Sequence, residues 1–273
     1  MYQILILIIK GMIIGLGKII PGVSGSLFAL NLGLYERGID SICNFFKNPK
    51  KNIIFLSTVG IGILISIILC SKILNYMLLK YYVLTMFLFI GLLFGSIPSL
   101  IKRHKLKDIK QKMFFIITFL SMIIICFFNV KTEYIYSDNL LNNLYVFLIG
   151  IIDAATMIIP GISGTAILML MGSYQFFLSI FINITSFNFE CINIVLYFSI
   201  GLFLGIIIVT KIMDYLLNKK PNIIYPIILG FSISSILILF IKTITQVTNI
   251  YEIIIGIVIF IIGFKISNVY GFE

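Results

Sequence analysis

Shifted by 139 residues, the chain lies on itself without a gap: Gly11 meets Gly150, Pro21-Gly22 meets Pro160-Gly161, Ser24-Gly25 meets Ser163-Gly164, Gly33 meets Gly172 and Tyr35 meets Tyr174. The register holds further on, through Gly62 and Gly201, Lys72-Ile73 and Lys211-Ile212, Tyr76 and Tyr215, Lys80 and Lys219, and Gly91 and Gly230. Isoleucine and leucine match by chance in apolar text. Glycine, proline, lysine and tyrosine keeping one frame over this distance do not. The chain is a tandem duplication, with a first repeat over 1–139 and a second over 140–273.

Hydropathy says where that duplicated unit folds. The chain is 60% apolar and 11% charged, with mean hydropathy +1.17, more apolar surface than a soluble domain of this length can hide. Six stretches read as transmembrane helices: 53–71, 81–101, 113–130, 191–210, 221–241 and 252–270. The first five carry no charge and are close to the ~20 residues that cross a bilayer. The sixth is weaker, because Lys265 must reach out to the interface. The expected class is an all-α polytopic membrane protein. A net charge of +10 does not indicate a nucleic-acid partner, because the lysines lie in short loops between spans, where cytoplasmic retention of basic residues accounts for them.

Each repeat opens on an interrupted apolar stretch, at 3–36 and at 141–182. Proline lacks an N–H and glycine disfavours helix, so PGVSG and PGISG should break the helix and turn the chain. If each stretch is a re-entrant hairpin, every repeat crosses the membrane three times, and the second is inverted relative to the first, as in many secondary transporters. Charge favours this layout. It puts Arg37, Lys47, Lys50, Lys51, the cluster from Lys102 to Lys112, Lys211, Lys219, Lys220 and Lys265 on the cytoplasmic side with both termini, and leaves Lys72, Lys80, Lys131 and Lys242 outside.

Irregular backbone at membrane depth is tolerated only where protein or a watery cavity satisfies it, so two breaks entering from opposite faces should share an interior. After each Pro-Gly a new helix starts, at Ser24-Gly25-Ser26 or Ser163-Gly164-Thr165, and its first N–H groups and hydroxyls suit an anion. The alternative is that these hydroxyls only cap their helices and the glycines only serve packing. Lys18 and Asp153 stand inside the apolar hairpins, where a charge must be paired or wetted. Lys18 would be a phosphate counter-charge and Asp153 a proton or sodium site, or the two would form a structural ion pair. Glu36-Arg37 reads as a solvated loop pair that could also greet a headgroup.

Catalytic and metal motifs are lacking. His104, the single histidine, sits in a lysine-rich loop, so a histidine-dependent phosphatase or a Ser-His triad is not expected. Cys43, Cys70, Cys126 and Cys191 are isolated, with no CxxC, and indicate neither disulfides nor a metal site. The chain is expected to be no enzyme and to use no cofactor. A carrier or channel for a small soluble anion remains the competing class.

The sequences PGVSGSLFALNLGLYER and MIIPGISGTAILMLMGSYQ resemble the duplicated signature of the polyprenyl-phosphate transporter (PopT-type) family, over essentially the whole chain. Matching positions are Pro21, Gly22, Ser24, Gly25, Gly33 and Tyr35, then Pro160, Gly161, Ser163, Gly164, Gly172 and Tyr174. The first hairpin departs from the family pattern at Ser26-Leu27, where Gly-Thr is usual, and at Lys18, where a small polar residue is expected. The resemblance implies a flippase of the bacterial cytoplasmic membrane that returns undecaprenyl phosphate, the lipid carrier of cell-wall synthesis, for reuse. With the hairpin residues as its substrate site, the partners would be that lipid, the surrounding membrane and a coupling proton or sodium ion.

Overall fold

A computed structural model describes residues 2–19, 24–95, 97–103, 106–127, 139–162, 164, 167–168, 171–173, 176 and 192–270, and these are helical, with no strand among them. Helix α1 (Tyr2–Ile19) stops before the first Pro-Gly, and two short helices follow, α2 (Gly25–Asn31) and α3 (Tyr35–Cys43). The next helix is longer than the 53–71 span predicted. It starts at Pro49, whose missing N–H costs nothing in a first turn. From there α4 (Pro49–Ile65) runs through a π turn, Ser66–Cys70, into α5 (Ser71–Lys80). Together these helices rise roughly 48 Å at 1.5 Å per residue, well beyond a hydrocarbon core of about 30 Å.

The predicted span 81–101 is two helices, α6 (Tyr82–Phe94) and α7 (Ile97–Arg103). Pro98 explains the break: its ring would collide with the carbonyl of residue 94, so the first helix must end there and the second starts with proline in its opening turn. Then come α8 (Ile109–Phe127), α9 (Leu140–Ile158), α10 (Ile192–Lys219), α11 (Pro221–Ile244) and α12 (Ile250–Tyr270). Four helices among the described residues, α9 to α12, are long and apolar enough to cross a membrane. This is a multi-pass membrane protein: Phe203, Ile208, Ile254, Ile257 and Ile261 stand exposed on helix faces that water would not tolerate in bulk.

Helices related by the 139-residue shift end alike. Tyr81, between α5 and α6, has φ −133° and ψ 46°, and Lys220, between α10 and α11, has φ −136° and ψ 51°. Glycine contacts repeat atom for atom. A Cβ on Gly62 would strike the Ile8 carbonyl oxygen, and one on Gly201 would strike that of Phe147, its counterpart. One step along, Gly15 faces Ser66 in the first pair of helices, while Ala154 faces Gly205 in the second. The small partner has changed sides and the close approach has been kept. We expect Gly201→Leu to prevent α9 and α10 from docking, read as loss of the monodisperse peak in detergent chromatography.

These contacts also give directions. Gly11 lies against Val59 and Gly62, and Gly15 against Ile63 and Ser66, so α1 and α4 run parallel. Gly150 against Phe198 and Gly201, with Ala154 against Gly205, makes α9 and α10 parallel too. Helix α6 likewise runs parallel to α12, pairing Phe87 with Gly256, Gly91 with Phe260, and Gly95 with Phe264 and Ser267. The last long helix of each repeat thus packs on the other repeat: α12 on α6, and α8 on α11 through Phe115 and Thr118 at Gly230. Between them α6 and α11 meet at the centre, where Met86, Ile90, Leu93, Ile228 and Leu239 are buried.

Candidate functional site

Helix α2 returns along α1. Its Gly25 and Phe28 lie against Gly17, and at its far end the Lys10 ammonium donates to the Leu32 carbonyl at 3.0 Å. Ser24 stands just ahead of α2 in extended backbone, φ −100° and ψ 122°, the geometry of a capping residue. Its hydroxyl makes no capping bond. Instead the Ser24 and Ser26 hydroxyl oxygens lie 2.7 Å apart, in a site where both residues are buried. Capping alone therefore does not account for these serines.

The second break comes to meet them. Ile159 ends α9 in extended backbone, φ −76° and ψ 117°, as a residue before proline must. Its carbonyl has lost an intrahelical partner, and the Ser26 hydroxyl donates to it at 3.3 Å. Pro160 and Gly161 follow, both buried. Gly161 has φ +85°, and a Cβ there would lie 2.6 Å from backbone atoms of Phe231 and Ser232. The Ser235 hydroxyl donates to the Gly161 carbonyl. Asp153, 6% exposed, lies nearly two turns back on α9, its backbone carbonyl accepting from the Thr156 hydroxyl at 2.8 Å. Gly164 closes over both: a Cβ on it would be 2.6 Å from Thr156 Oγ1 and 3.7 Å from Asp153 Oδ1.

Ser24, Gly25, Ser26, Pro160, Gly161, Gly164 and Asp153 are therefore gathered around the two breaks. Tyr35 is not with them. It begins α3 beyond the Gly33 turn, at φ +67°, one length of α2 from the tip, and its buried hydroxyl has no hydrogen-bond partner among the described residues. Pro21, Gly22, Ser163, Thr165, Tyr174 and the side chain of Lys18 lie outside the described residues. Glu36-Arg37, read from sequence as a solvated pair, is divided: Glu36 accepts from the Tyr225 hydroxyl at 2.8 Å, while the Arg37 guanidinium lies 4.3 Å over the Phe55 ring. The contribution of α11 was missed in the sequence. Ser232, Ser234 and Ser235 in an otherwise apolar span were the available signal; all three are buried, and Ser232 and Ser235 meet Gly161 of the second break.

The chemistry on offer is that of hydroxyl donors and freed backbone in a low-dielectric setting. Hydroxyls donate well to phosphate oxygens, and burial strengthens each such bond. Among the described residues no cluster of His, Cys, Asp and Glu could hold a metal ion.

A family model described as undecaprenyl phosphate translocase-like matches residues 14–255 of the chain. The chain belongs to this family. Two relatives share the character of this translocase-like chain. A polyprenyl-phosphate transporter of Staphylococcus aureus is 31% identical over 271 residues, covering 97% of this chain and 95% of its own. A polyprenyl-phosphate transporter of Vibrio cholerae is 24% identical over 249 residues, covering 84% and 75%. No solved structure matches. Both relatives are named as transporters.

Proposed function

We propose that the protein translocates undecaprenyl phosphate across the bacterial cytoplasmic membrane, passing the phosphate headgroup through the junction of the two helix breaks while the prenyl tail stays in lipid. The observation that carries this reading is the bond from Ser26 Oγ to Ile159 O, which joins two breaks far apart in sequence and makes them one polar locus. The relatives' names supply the substrate class, a polyprenyl phosphate. In this reading the headgroup is held by Ser24, Gly25 and Ser26 from the first hairpin and by Pro160, Gly161, Ser163, Gly164 and Thr165 from the second. Lys18, Pro21, Gly22, Tyr35 and Tyr174 belong to the proposed substrate site as well. A seven-residue α2 has only a slight helix dipole, so hydroxyls and freed amides carry the binding.

The reading rests on inverted repeats with re-entrant hairpins, one repeat over 1–139 and the other over 140–273, and the packing supports that arrangement. Consecutive membrane helices α11 and α12, joined by the short segment 245–249, must run antiparallel. Since α6 is parallel to α12, it opposes α11, its own counterpart under the 139-residue shift. Both termini then fall on one face, the one bearing Arg37, Lys51, Lys211 and Lys220, which by its basic residues is the cytoplasmic one. Asp153 beside an anion site is the place for a coupling proton or sodium ion.

The test uses the purified chain in vesicles, with undecaprenyl phosphate confined at first to one leaflet and its appearance in the other followed by accessibility to a non-permeant reagent. Protein-dependent exchange is expected. Equal exchange of empty and protein-bearing vesicles, or transport of free phosphate without lipid, would replace this function with the competing anion carrier. In the same vesicles Asp153→Asn should abolish the response to an imposed proton or sodium gradient while exchange without a gradient persists; an unchanged response removes Asp153 from coupling.

A further inference from the structure

A second polar locus lies away from the hairpin tips. Between the first half of α1, the Leu32–Leu34 turn and the start of α4 is an open cleft of about 510 Å³. Lys10, Arg37 and Lys51 line it, and no Asp or Glu does among the described residues. Each cation comes from a different element, α1, α3 and α4, so their convergence is a property of the fold and not of a lysine-rich stretch. Two are held in place. Lys10 is fixed by its bond to the Leu32 carbonyl, which engages one of three ammonium hydrogens, and Arg37 is laid over the Phe55 ring with its N–H edges still available. Gln3 is the one further polar side chain in the lining; the rest of the wall is apolar, and Ile4 and Ile54 on it stand 47% and 57% exposed.

Three convergent cations without a counter-charge call for an anion, and an apolar wall open to lipid calls for one that carries a hydrocarbon chain. The position narrows the choice. Gly17 packs on Gly25 at the hairpin tip, and Lys10 is seven residues nearer the start of the same helix, roughly 10 Å away at 1.5 Å per residue. The cleft therefore lies at the open mouth of the hairpin whose tip carries Ser24 and Ser26.

We propose that this cleft is an interfacial station for the headgroup of the transported polyprenyl phosphate: Lys10, Arg37 and Lys51 receive the phosphate between the hairpin tip and the membrane surface, and the tail lies along Ile4 and Ile54. The proposal rests on the translocase reading and adds to it a separate site, with its own residues, on the face that carries Lys51.

The test is binding of farnesyl phosphate, a short single-chain probe, to the full chain in neutral detergent micelles, together with the vesicle exchange assay. Arg37→Gln/Lys51→Gln should weaken binding roughly tenfold or more, as expected for losing hydrogen bonds to a charged group, and should slow exchange. Lys10 is left intact because it also ties α1 to α2. Lys47→Gln/Lys50→Gln removes two charges from the same surface without touching the cleft and should change neither quantity. Equal losses in both double variants would reduce the effect to general surface charge and overturn the station. So would unchanged binding in Arg37→Gln/Lys51→Gln, or competition by phosphatidylglycerol at the same concentration as farnesyl phosphate, which would make the cleft a phospholipid seat. If exchange in vesicles is intact in the wild type while the cleft variants bind normally, only the station falls. If the wild type neither binds the probe nor exchanges the lipid, the translocase reading falls with it.

Discussion

Replacing Gly161 with alanine is expected to destabilise the protein by about 3 kcal/mol and to abolish transport. Two costs add at one atom. A non-glycine residue at φ +85° costs about 1–2 kcal/mol. The new methyl would also lie 2.6 Å from backbone atoms of Phe231 and Ser232, which cannot swing aside as a side chain can, and overpacking of that kind costs about 1–3 kcal/mol. Relief requires the second break to lift from α11, which pulls the Gly161 carbonyl off the Ser235 hydroxyl and the neighbouring Ile159 carbonyl away from Ser26. The damage therefore passes straight into the junction. Gly60→Ala is the matched control. Gly60 lies within α4, its added Cβ meets nothing within 4 Å, and the substitution should stabilise by about 0.5–1 kcal/mol through helix propensity. Thermal unfolding in detergent measures both. Unfolding temperatures that fall together, or Gly161→Ala leaving exchange intact, would contradict the geometry of the second break.

The Ser24→Ala/Ser26→Ala variant should behave in the opposite way, folding nearly normally while losing transport. In the resting protein these hydroxyls make neutral hydrogen bonds, to each other and to the Ile159 carbonyl, each contributing about 1 kcal/mol. On a phosphate the same groups would contribute about 1.5–3 kcal/mol each, so their removal should slow exchange roughly 10- to 100-fold or more. Ser24→Thr keeps the hydroxyl and should keep most of the rate. A double variant that unfolds as readily as Gly161→Ala would make the serines structural, and one that exchanges lipid at the normal rate would move the headgroup path elsewhere.

Much of this was legible in the sequence because glycine and proline report backbone geometry directly. The 139-residue register of Gly11, Gly62 and Gly91 marked the places where helices come closest, and the structure puts backbone carbonyls against each of them. The position of the first break was equally readable from Pro21-Gly22, with α1 ending at Ile19 and α2 starting at Gly25. Charge was a poorer guide. Lys72 follows the predicted span 53–71, and charge gave no sign that the helix itself runs on to Lys80. The split of 81–101 was in plain view at Pro98 and was passed over, since hydropathy weighs side chains and not missing N–H groups. Side-chain hydrogen bonds between repeats left no local mark. Nothing near Ile159 announces that Ser26 will reach its carbonyl, and nothing in Glu36-Arg37 tells that one partner turns to Tyr225 and the other to Phe55. The Ser26–Ile159 and Glu36–Tyr225 pairings depend on how the two repeats dock, which is written across the whole chain.

The exchange of final helices between repeats, α8 onto α11 and α12 onto α6, has a bearing on biosynthesis. When α8 leaves the ribosome its seat does not yet exist, and on the order of a hundred residues must still be made, roughly 5–20 s of synthesis. Meanwhile Phe115 and Thr118, which will hold Gly230, must rest against lipid or an insertion factor. A ribosome stalled within α10 would leave the first repeat threaded but unclosed, with α8 still lacking its seat on α11.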